Sequence, residues 1–243
     1  MMRLLSDDRG VSELIGYVLA FSIVVASVGA VYAGGLGAAM EFQQDERETN
    51  AERAFVALAE SLNDLQRGDA PARNGEIRLA EGTLSVADGP NVSIAVNRSG
   101  GSLEIYEGEV GALTYAVGET QVAYVAGGVV REDNGAGSIA ASPPFACTDE
   151  RAVVSLVTIT AGDANTRAGQ GSVLIEAQRR ATRVLYPSTS NTSVDAVTVS
   201  IDENSDAWTR HLSEEGWTAA GNTLTCETDR VVVRRTTVRI DFL

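Results

Sequence analysis

The chain contains no lysine, one histidine, two cysteines and only 5% aromatic residues. Two cysteines and one histidine cannot form a structural zinc site by themselves, because such a site takes four ligands. The sequence also has no G-x-S-x-G elbow, P-loop, H-E-x-x-H motif or Rossmann glycine pattern. We therefore expect that the protein is not an enzyme, and that it has no catalytic residue, no metal site and no cofactor.

All 19 basic residues are arginine, against 33 aspartate and glutamate residues, which gives a net charge of -14. Phosphate binding requires clustered lysine and arginine, so nucleic acid is not an expected partner. Arg179-Arg180 and Arg234-Arg235 are only short pairs, and we interpret them as charges on strand surfaces.

The same composition resembles that of proteins from salt-loving archaea, in which carboxylates replace lysine. Salt at 1 M screens charge repulsion within about 3 Å. An acidic surface protein from an ordinary environment is the alternative, since net charge reports on solubility rather than on fold.

A long apolar run follows a short polar leader. No charged residue occurs from Leu14 to Met40, and residues 14–33 suffice to cross a membrane as a helix. The leader reads Asp7-Asp8-Arg9-Gly10-Val11-Ser12-Glu13. Glu13 is a single carboxylate at the edge of the apolar run, where an unpaired charge is costly.

This layout resembles the leader of archaeal type IV pilins and their relatives. The resemblance implies a cell-membrane protein that a prepilin peptidase cleaves between Gly10 and Val11, after the basic Arg9. It further implies partners among other pilin-like subunits, with Glu13 in assembly. The acidic residue of bacterial pilins is the fifth after the cut, whereas Glu13 is the third.

Two other fates of the apolar segment stay open. Val31-Tyr32-Ala33 places small residues at the two positions that signal peptidase inspects. Secretory signals usually have apolar regions of about 7–15 residues, which is shorter than this segment. The segment could also be an uncut single-pass anchor.

The helix is predicted to continue to Arg67. Residues 41–67 contain no proline, and Phe55, Leu58, Leu62 and Leu65 follow helical spacing on one face. This stripe predicts packing against the chain's own sheet domain, and the neighbouring charges Glu48, Glu52, Arg47 and Arg53 are expected to face one another. Gly34, Gly35 and Gly37 predict a kink or a short interruption. Gly68 to Pro71 ends the helix.

The remainder is predicted to be β structure. Short alternating runs are separated by turn signals, which favours an antiparallel sandwich or meander. Residues 134–145 are predicted to separate two groups of strands, and residues 207–212 to form a short helix. The expected fold class is α+β, a pilin-like lollipop, with a leader at 1–10, a transmembrane and amphipathic helix at 11–67 and an extracytoplasmic or surface β-rich domain at 72–243. The predicted strands are 76–80, 83–87, 91–96, 102–106, 113–117, 121–125, 152–160, 172–186, 194–201 and 230–242.

Cys147 and Cys226 each stand a few residues before a valine-rich strand. In an exported protein an even cysteine count favours a disulfide, and the pair could meet if the two strands lie side by side in the same sense. Two separate buried thiols are the alternative. The sequons at Asn91, Asn97 and Asn191 are candidate glycosylation sites of a surface glycoprotein.

Two polar segments contain side chains that could take part in chemistry. His211 lies beside Glu214 and Glu215 on the predicted short helix, and we interpret it as a solvated surface histidine. Asp163-Ala164-Asn165 is similar to part of a calcium loop but lacks the terminal bidentate glutamate, so residues 162–171 are predicted to form a hairpin turn.

Beyond the leader, two runs look like a family of uncharacterised exported proteins from salt-loving archaea, a resemblance that implies no activity. They are Asn50-Ala51-Glu52-Arg53-Ala54-Phe55 through Leu65 and Glu76-Ile77-Arg78-Leu79. Two classes of function follow. One is a structural subunit of a filament or of its assembly apparatus, for which a minor pilin-like subunit is preferred. The other is a non-polymerising, single-pass anchored domain that binds a ligand or partner at the envelope.

Overall fold

The computed structural model describes residues 8–186 and 194–243 of the chain, with the side chains of residues 8–12 and 36–41 outside the description. The chain divides into two units, Met1–Arg47 and Glu48–Leu243. The fold class is α+β, as expected: an N-terminal apolar helix precedes a β-rich unit with mostly antiparallel sheets.

Helix α1 spans Asp8–Arg67. Its assignment runs through Gly34, Gly35 and Gly37, so the predicted interruption at these glycines is wrong. The end of the helix is as expected, because Gly68 adopts φ +94 and its N–H donates to the Asp64 carbonyl at 3.1 Å. A residue without a Cβ adopts this left-handed conformation at no steric cost.

Sixteen strands and helix α2 (Ser205–Glu214) follow the long helix in the described residues. The strands are β1 Ala72–Arg78, β2 Thr83–Ala87, β3 Asn91–Arg98, β4 Gly101–Glu109, β5 Ala112–Val117, β6 Thr120–Val125, β7 Gly128–Asp133, β8 Ala136–Ala141, β9 Phe145–Thr148, β10 Arg151–Ala161, β11 Thr166–Ala168, β12 Ser172–Tyr186, β13 Val194–Ile201, β14 Thr218–Ala220, β15 Thr223–Glu227 and β16 Val231–Phe242.

These strands form three sheets. Sheet A has the order β1-β12-β16-β10-β9, sheet B the order β11-β2-β5-β6-β7-β8, and sheet C the order β14-β15-β13-β3-β4. Among the described strands, β10 and β16 form the one parallel pair, with Ala152 opposite Val231. The two valine-rich strands therefore do lie side by side in the same sense.

Two hydrophobic cores fill the β-rich unit. The first lies under the end of α1, where Phe55, Leu58, Leu62 and Leu65 are buried together with residues of sheets A and B, among them Ile175. The predicted packing of this stripe against the sheet domain is confirmed. The second core joins sheets A and C, and receives Trp208 and Leu212 from α2.

The predicted separator at residues 134–145 is wrong, because it contains strand β8. β7 and β8 pair as an antiparallel hairpin around Asn134 and Gly135. Both turn residues have positive φ, 50° and 79°. Asn-Gly is the preferred pair for such a two-residue turn, so a signal for this hairpin was present in the sequence.

The connection at residues 162–171 is not a hairpin turn either. β16 lies between β10 and β12 in sheet A, so these two strands do not pair with each other. The connection instead contributes β11 to the edge of sheet B, where Arg167 lies opposite Leu84.

Candidate functional site

The apolar part of α1 is the feature with the clearest functional meaning. Residues Glu13–Gly35 form a helical segment of 23 residues, long and apolar enough to cross a membrane, and none of its most apolar stretch is buried within the protein. At about 1.5 Å per residue it covers about 35 Å, more than the roughly 30 Å of bilayer hydrocarbon. Tyr17 and Phe21 stack on one another along its surface, with ring centroids 6.4 Å apart.

Glu13 is the first residue of this segment, and its side chain is exposed. No ion pair joins it to another residue in the described part of the chain. Arg9, Gly10 and Val11 occupy the first turns of α1, and their side chains lie outside the description. Cleavage after Gly10 and a role for Glu13 in assembly stay predictions.

The residues of α1 that begin the β-rich unit are held by an ion-pair cluster. The Arg131 guanidinium on β7 lies 2.8 Å from a Glu48 carboxylate oxygen and 3.3 Å from one of Glu52. Asp133 is 3.8 Å from the same guanidinium. The Glu48 side chain is only 8% exposed, which makes its charge costly without a cation.

The sequence did not identify this contact. The sequence predicted that Glu48 and Glu52 face Arg47 and Arg53, and it gave no sign that both carboxylates also reach Arg131, which is remote in the chain. A lone arginine in a strand gives no indication of its partner.

A second polar cluster lies at the C-terminal end of α1. The Asp64 carboxylate accepts hydrogen bonds from Arg73 at 3.1 Å and from Arg67 at 2.6 Å. The hydrogen bond from Arg73, followed by that from Arg67, lowers the pKa of Asp64 below its ordinary value. Nearby, the Gln66 side chain donates to the Ser155 carbonyl of β10, which ties the end of the helix to sheet A.

The disulfide expected from the sequence is present. Cys147 on β9 and Cys226 on β15 are bonded, with their Cα atoms 5.8 Å apart and 79 residues apart in sequence. The bond follows the parallel register of β10 and β16, in which Ala152 and Val231 are also separated by 79 positions. It links an edge strand of sheet A to sheet C.

Two of the three sequons lie on β3. Asn91 is exposed, and its side-chain amide donates to Asp202 at 3.2 Å, while Asn97 is half-buried. Asn191 lies outside the described residues. Glycosylation of all three stays a prediction.

His211 is less solvated than expected. Its side chain is 25% exposed, and its Nε2 lies 2.8 Å from the Ser142 hydroxyl and 3.3 Å from a Glu215 oxygen. Ser142 also donates to Glu215 at 2.8 Å. Both partners contact the same ring nitrogen, whereas a nucleophile relay needs the carboxylate on the other one. This cluster fixes α2 to the loop after β8.

Asp163 forms an ion pair with Arg239 at 3.0 Å, so in this structure its carboxylate is used in a protein contact. Among the described residues, no three histidine, cysteine or acidic side chains come together as metal ligands would. The arginine pairs 179–180 and 234–235 lie on β12 and β16, as strand-surface charges.

These observations define an α+β protein whose N-terminal helix is long and apolar enough to cross a membrane once. The chain belongs to DUF7289, a family of unknown function whose model matches residues 9–241. The match includes both the apolar helix and the β-rich unit. No curated protein gives a significant match to the chain.

Proposed function

We propose that this protein is a membrane-anchored surface protein of the type IV pilin-like kind, with a structural or assembly role as a minor subunit and no catalysis. The observation that carries the proposal is the apolar helix of residues 13–35, which is fully exposed and begins with one carboxylate. Such a surface requires either lipid or other apolar helices around it.

The leader supports processing by a prepilin peptidase. Arg9-Gly10 precedes the apolar segment in the sequence, and a cut after Gly10 retains the whole of that segment. Amino-terminal sequencing of the membrane fraction tests this, and we expect the mature chain to begin at Val11. A start at Gly34 would indicate a released secretory product, and a retained Met1 an uncut anchor.

A matched pair of variants tests which glycine the peptidase requires. Gly10→Leu should cause the precursor to accumulate, because the residue before the cut must be small. Gly16→Leu is the control, since a side chain added at Gly16 meets no atom within 4 Å and the apolar character is kept. Accumulation in both variants would indicate a general insertion defect and contradict the processing hypothesis.

A variant of Glu13 tests whether this carboxylate takes part in assembly. In a filament its carboxylate would pair with the amino group freed at Val11 of an adjacent subunit, because a charge among packed helices requires a positive partner. Glu13→Gln keeps the shape and removes the charge. We expect processed, inserted protein that no longer enters fibres or co-purifying complexes. Glu46→Gln, at an exposed position of the same helix, is the control and should assemble normally.

The second candidate is a non-polymerising anchored domain that binds a partner at the envelope. The 233 residues that remain after a cut at Gly10 are many for a major pilin, a size that fits a minor subunit and this anchored domain alike. Normal complex formation by the Glu13→Gln variant would support this candidate, because a hydrated carboxylate at the membrane edge needs no partner. Electron microscopy of surface fibres from cells that lack the protein separates the two.

A surface location also supports glycosylation and salt adaptation as parts of the proposal. Asn91 and Asn97 both lie on β3, and a glycan on Asn91 requires that the contact of its side chain with Asp202 opens. Intact-mass measurement of protein purified from its native cells, before and after Asn91→Gln, tests the first site.

A further inference from the structure

Arginine is concentrated on two adjacent strands of an otherwise acidic chain. β12 and β16 pair over most of their length and together carry six of the 19 arginines. Each strand contains a single acidic residue, Glu176 on β12 and Asp241 on β16. The six are Arg179, Arg180, Arg183, Arg234, Arg235 and Arg239.

Two of these arginines lie directly opposite each other. Arg183 is the cross-strand partner of Arg235, an arrangement of like charges that destabilises an antiparallel pair. Arg235 stacks over the Tyr106 ring at 5.6 Å. Within the described ranges of the chain, Arg239 is the one arginine of this group that forms an ion pair with a carboxylate. In the described ranges, Arg183 and Arg235 therefore lack a carboxylate within ion-pair distance, although β4, which carries Tyr106, also carries Glu104 and Glu107.

The same part of β12 has a strand edge that pairs with no further strand in the described part of the chain. β1 pairs with β12 only as far as Gln178, and the Arg179 N–H donates to the Pro71 carbonyl at 2.9 Å. Among the residues that the structure describes, the stretch beyond Arg179 pairs with β16 alone. Residues 180–184 are all exposed, and Val184 is 61% exposed. Such an edge presents backbone N–H and C=O groups to a further strand.

We propose that the β12 edge from Arg180 to Val184 binds an extended acidic polypeptide segment as an added strand, with carboxylates of that segment on Arg183 and Arg235. The backbone edge favours a polypeptide over a glycan or a nucleic acid, because only a polypeptide strand continues the ladder of a sheet. The arginine pair favours an acidic segment, since it repels basic strands and leaves neutral ones without compensation. This inference is independent of whether the protein forms filaments.

The test uses the full chain in detergent micelles and two synthetic nine-residue peptides with blocked ends. One alternates glutamate with threonine, and the other replaces each glutamate by glutamine. We expect the acidic peptide to bind at least ten times more tightly than its neutral counterpart. When the acidic peptide is bound, hydrogen exchange should slow at those backbone amides of residues 181–185 that point away from β16, because they become paired only then.

Two arginine variants locate the contact. Arg183→Gln should weaken binding of the acidic peptide about tenfold, the equivalent of one charge-assisted hydrogen bond. Arg78→Gln is the matched control, because Arg78 is also an exposed strand arginine but lies opposite Ser172 at the other end of β12. Its affinity for the peptide should be unchanged.

Three results would overturn the proposal. Equal affinity for the two peptides would remove the role of charge, and unchanged exchange at residues 181–185 in the bound state would remove strand addition. Absence of peptide binding together with tight binding of heparin, a sulfated glycan, would assign the arginines to another class of polyanion. The comparison of peptides on the unaltered protein does not depend on whether a variant folds.

Discussion

Leu62 provides the sharpest test of how the amphipathic end of α1 functions. Its side chain is fully buried in the core between α1 and sheets A and B. If this part of the helix belongs to the β-rich unit, Leu62→Ala removes apolar contacts and leaves a cavity in that core. Comparable substitutions cost about 2–5 kcal/mol, and we expect about 3 kcal/mol for a residue with no exposed surface.

The expected change in melting temperature follows from size. The β-rich unit contains 196 residues, and for domains of this length each kcal/mol shifts Tm by about 2–4 °C. Leu62→Ala should therefore lower the Tm of the β-sheet circular dichroism signal by about 6–12 °C in detergent. The matched control is Leu19→Ala, the same substitution at a residue that is 58% exposed on the apolar segment. Its Tm should agree with that of the unaltered protein.

Equal effects of the two substitutions would refute the reasoning. If Leu62→Ala left the melting of the β signal unchanged, the end of α1 would not be part of the folded core, and the helix would be a separate stalk. If Leu19→Ala lowered the Tm as much, the apolar segment would be part of the same cooperative unit. Denaturant titration at fixed temperature provides a second measure of the same free energy.

Four further measurements examine other parts of the fold. Cys147→Ala with Cys226→Ala should cost about 4.5 kcal/mol in the chain-entropy model for a closed loop of this length, and unaltered protein kept in reductant should match the variant. The Tyr124 hydroxyl is buried without a hydrogen-bond partner among the described residues, and this burial raises the pKa of Tyr124. Tyr124→Phe removes the unpaired hydroxyl and should therefore leave stability unchanged or increase it by about 1 kcal/mol; a large loss of stability would show that the hydroxyl has a partner. Glu203 is exposed, but partial desolvation and then the charges of Asp202 and Glu132 raise its pKa. Its ionised form therefore opposes folding, and stability falls as pH rises from its unfolded pKa of about 4.3 through the higher folded pKa. Glu203→Gln should thus stabilise at pH 7 and lose this advantage below about pH 4, whereas a constant effect would contradict the assignment. Raising chloride from about 0.1 M to about 3 M should raise the Tm of the full chain, because salt screens the repulsion of 33 acidic against 19 basic side chains; a flat response would mean local compensation.

Local patterns in the sequence were sufficient for much of the architecture. The end of α1 at Arg67 follows from a glycine that adopts the left-handed conformation and a proline that cannot continue a helix. Strands β2, β12 and β13 have the predicted bounds, because alternation and turn residues act over a few positions. The apolar segment was also identified from the sequence, since its length and its lack of charged residues suffice for this.

The hairpin of β7 and β8 was not predicted, although its turn residues carry a local signal. Its Asn134-Gly135 turn was visible in the sequence, but the surrounding glycines and prolines suggested a separator instead. At residues 162–171 no local signal could succeed. Whether β10 and β12 form a hairpin depends on β16, which enters between them from the far end of the chain.

Only the tertiary structure decided which distant side chains meet. The disulfide was suggested by two similar segments, yet it required β10 and β16 to be parallel neighbours with matching separations of 79 residues. Arg131 contacts Glu48, which is 83 residues away in the chain, and Arg183 on β12 lies opposite Arg235 on the adjacent strand β16. Sequence determines the residue types and local geometry, whereas such contacts depend on strand order and register, which are set by the packing of the whole core.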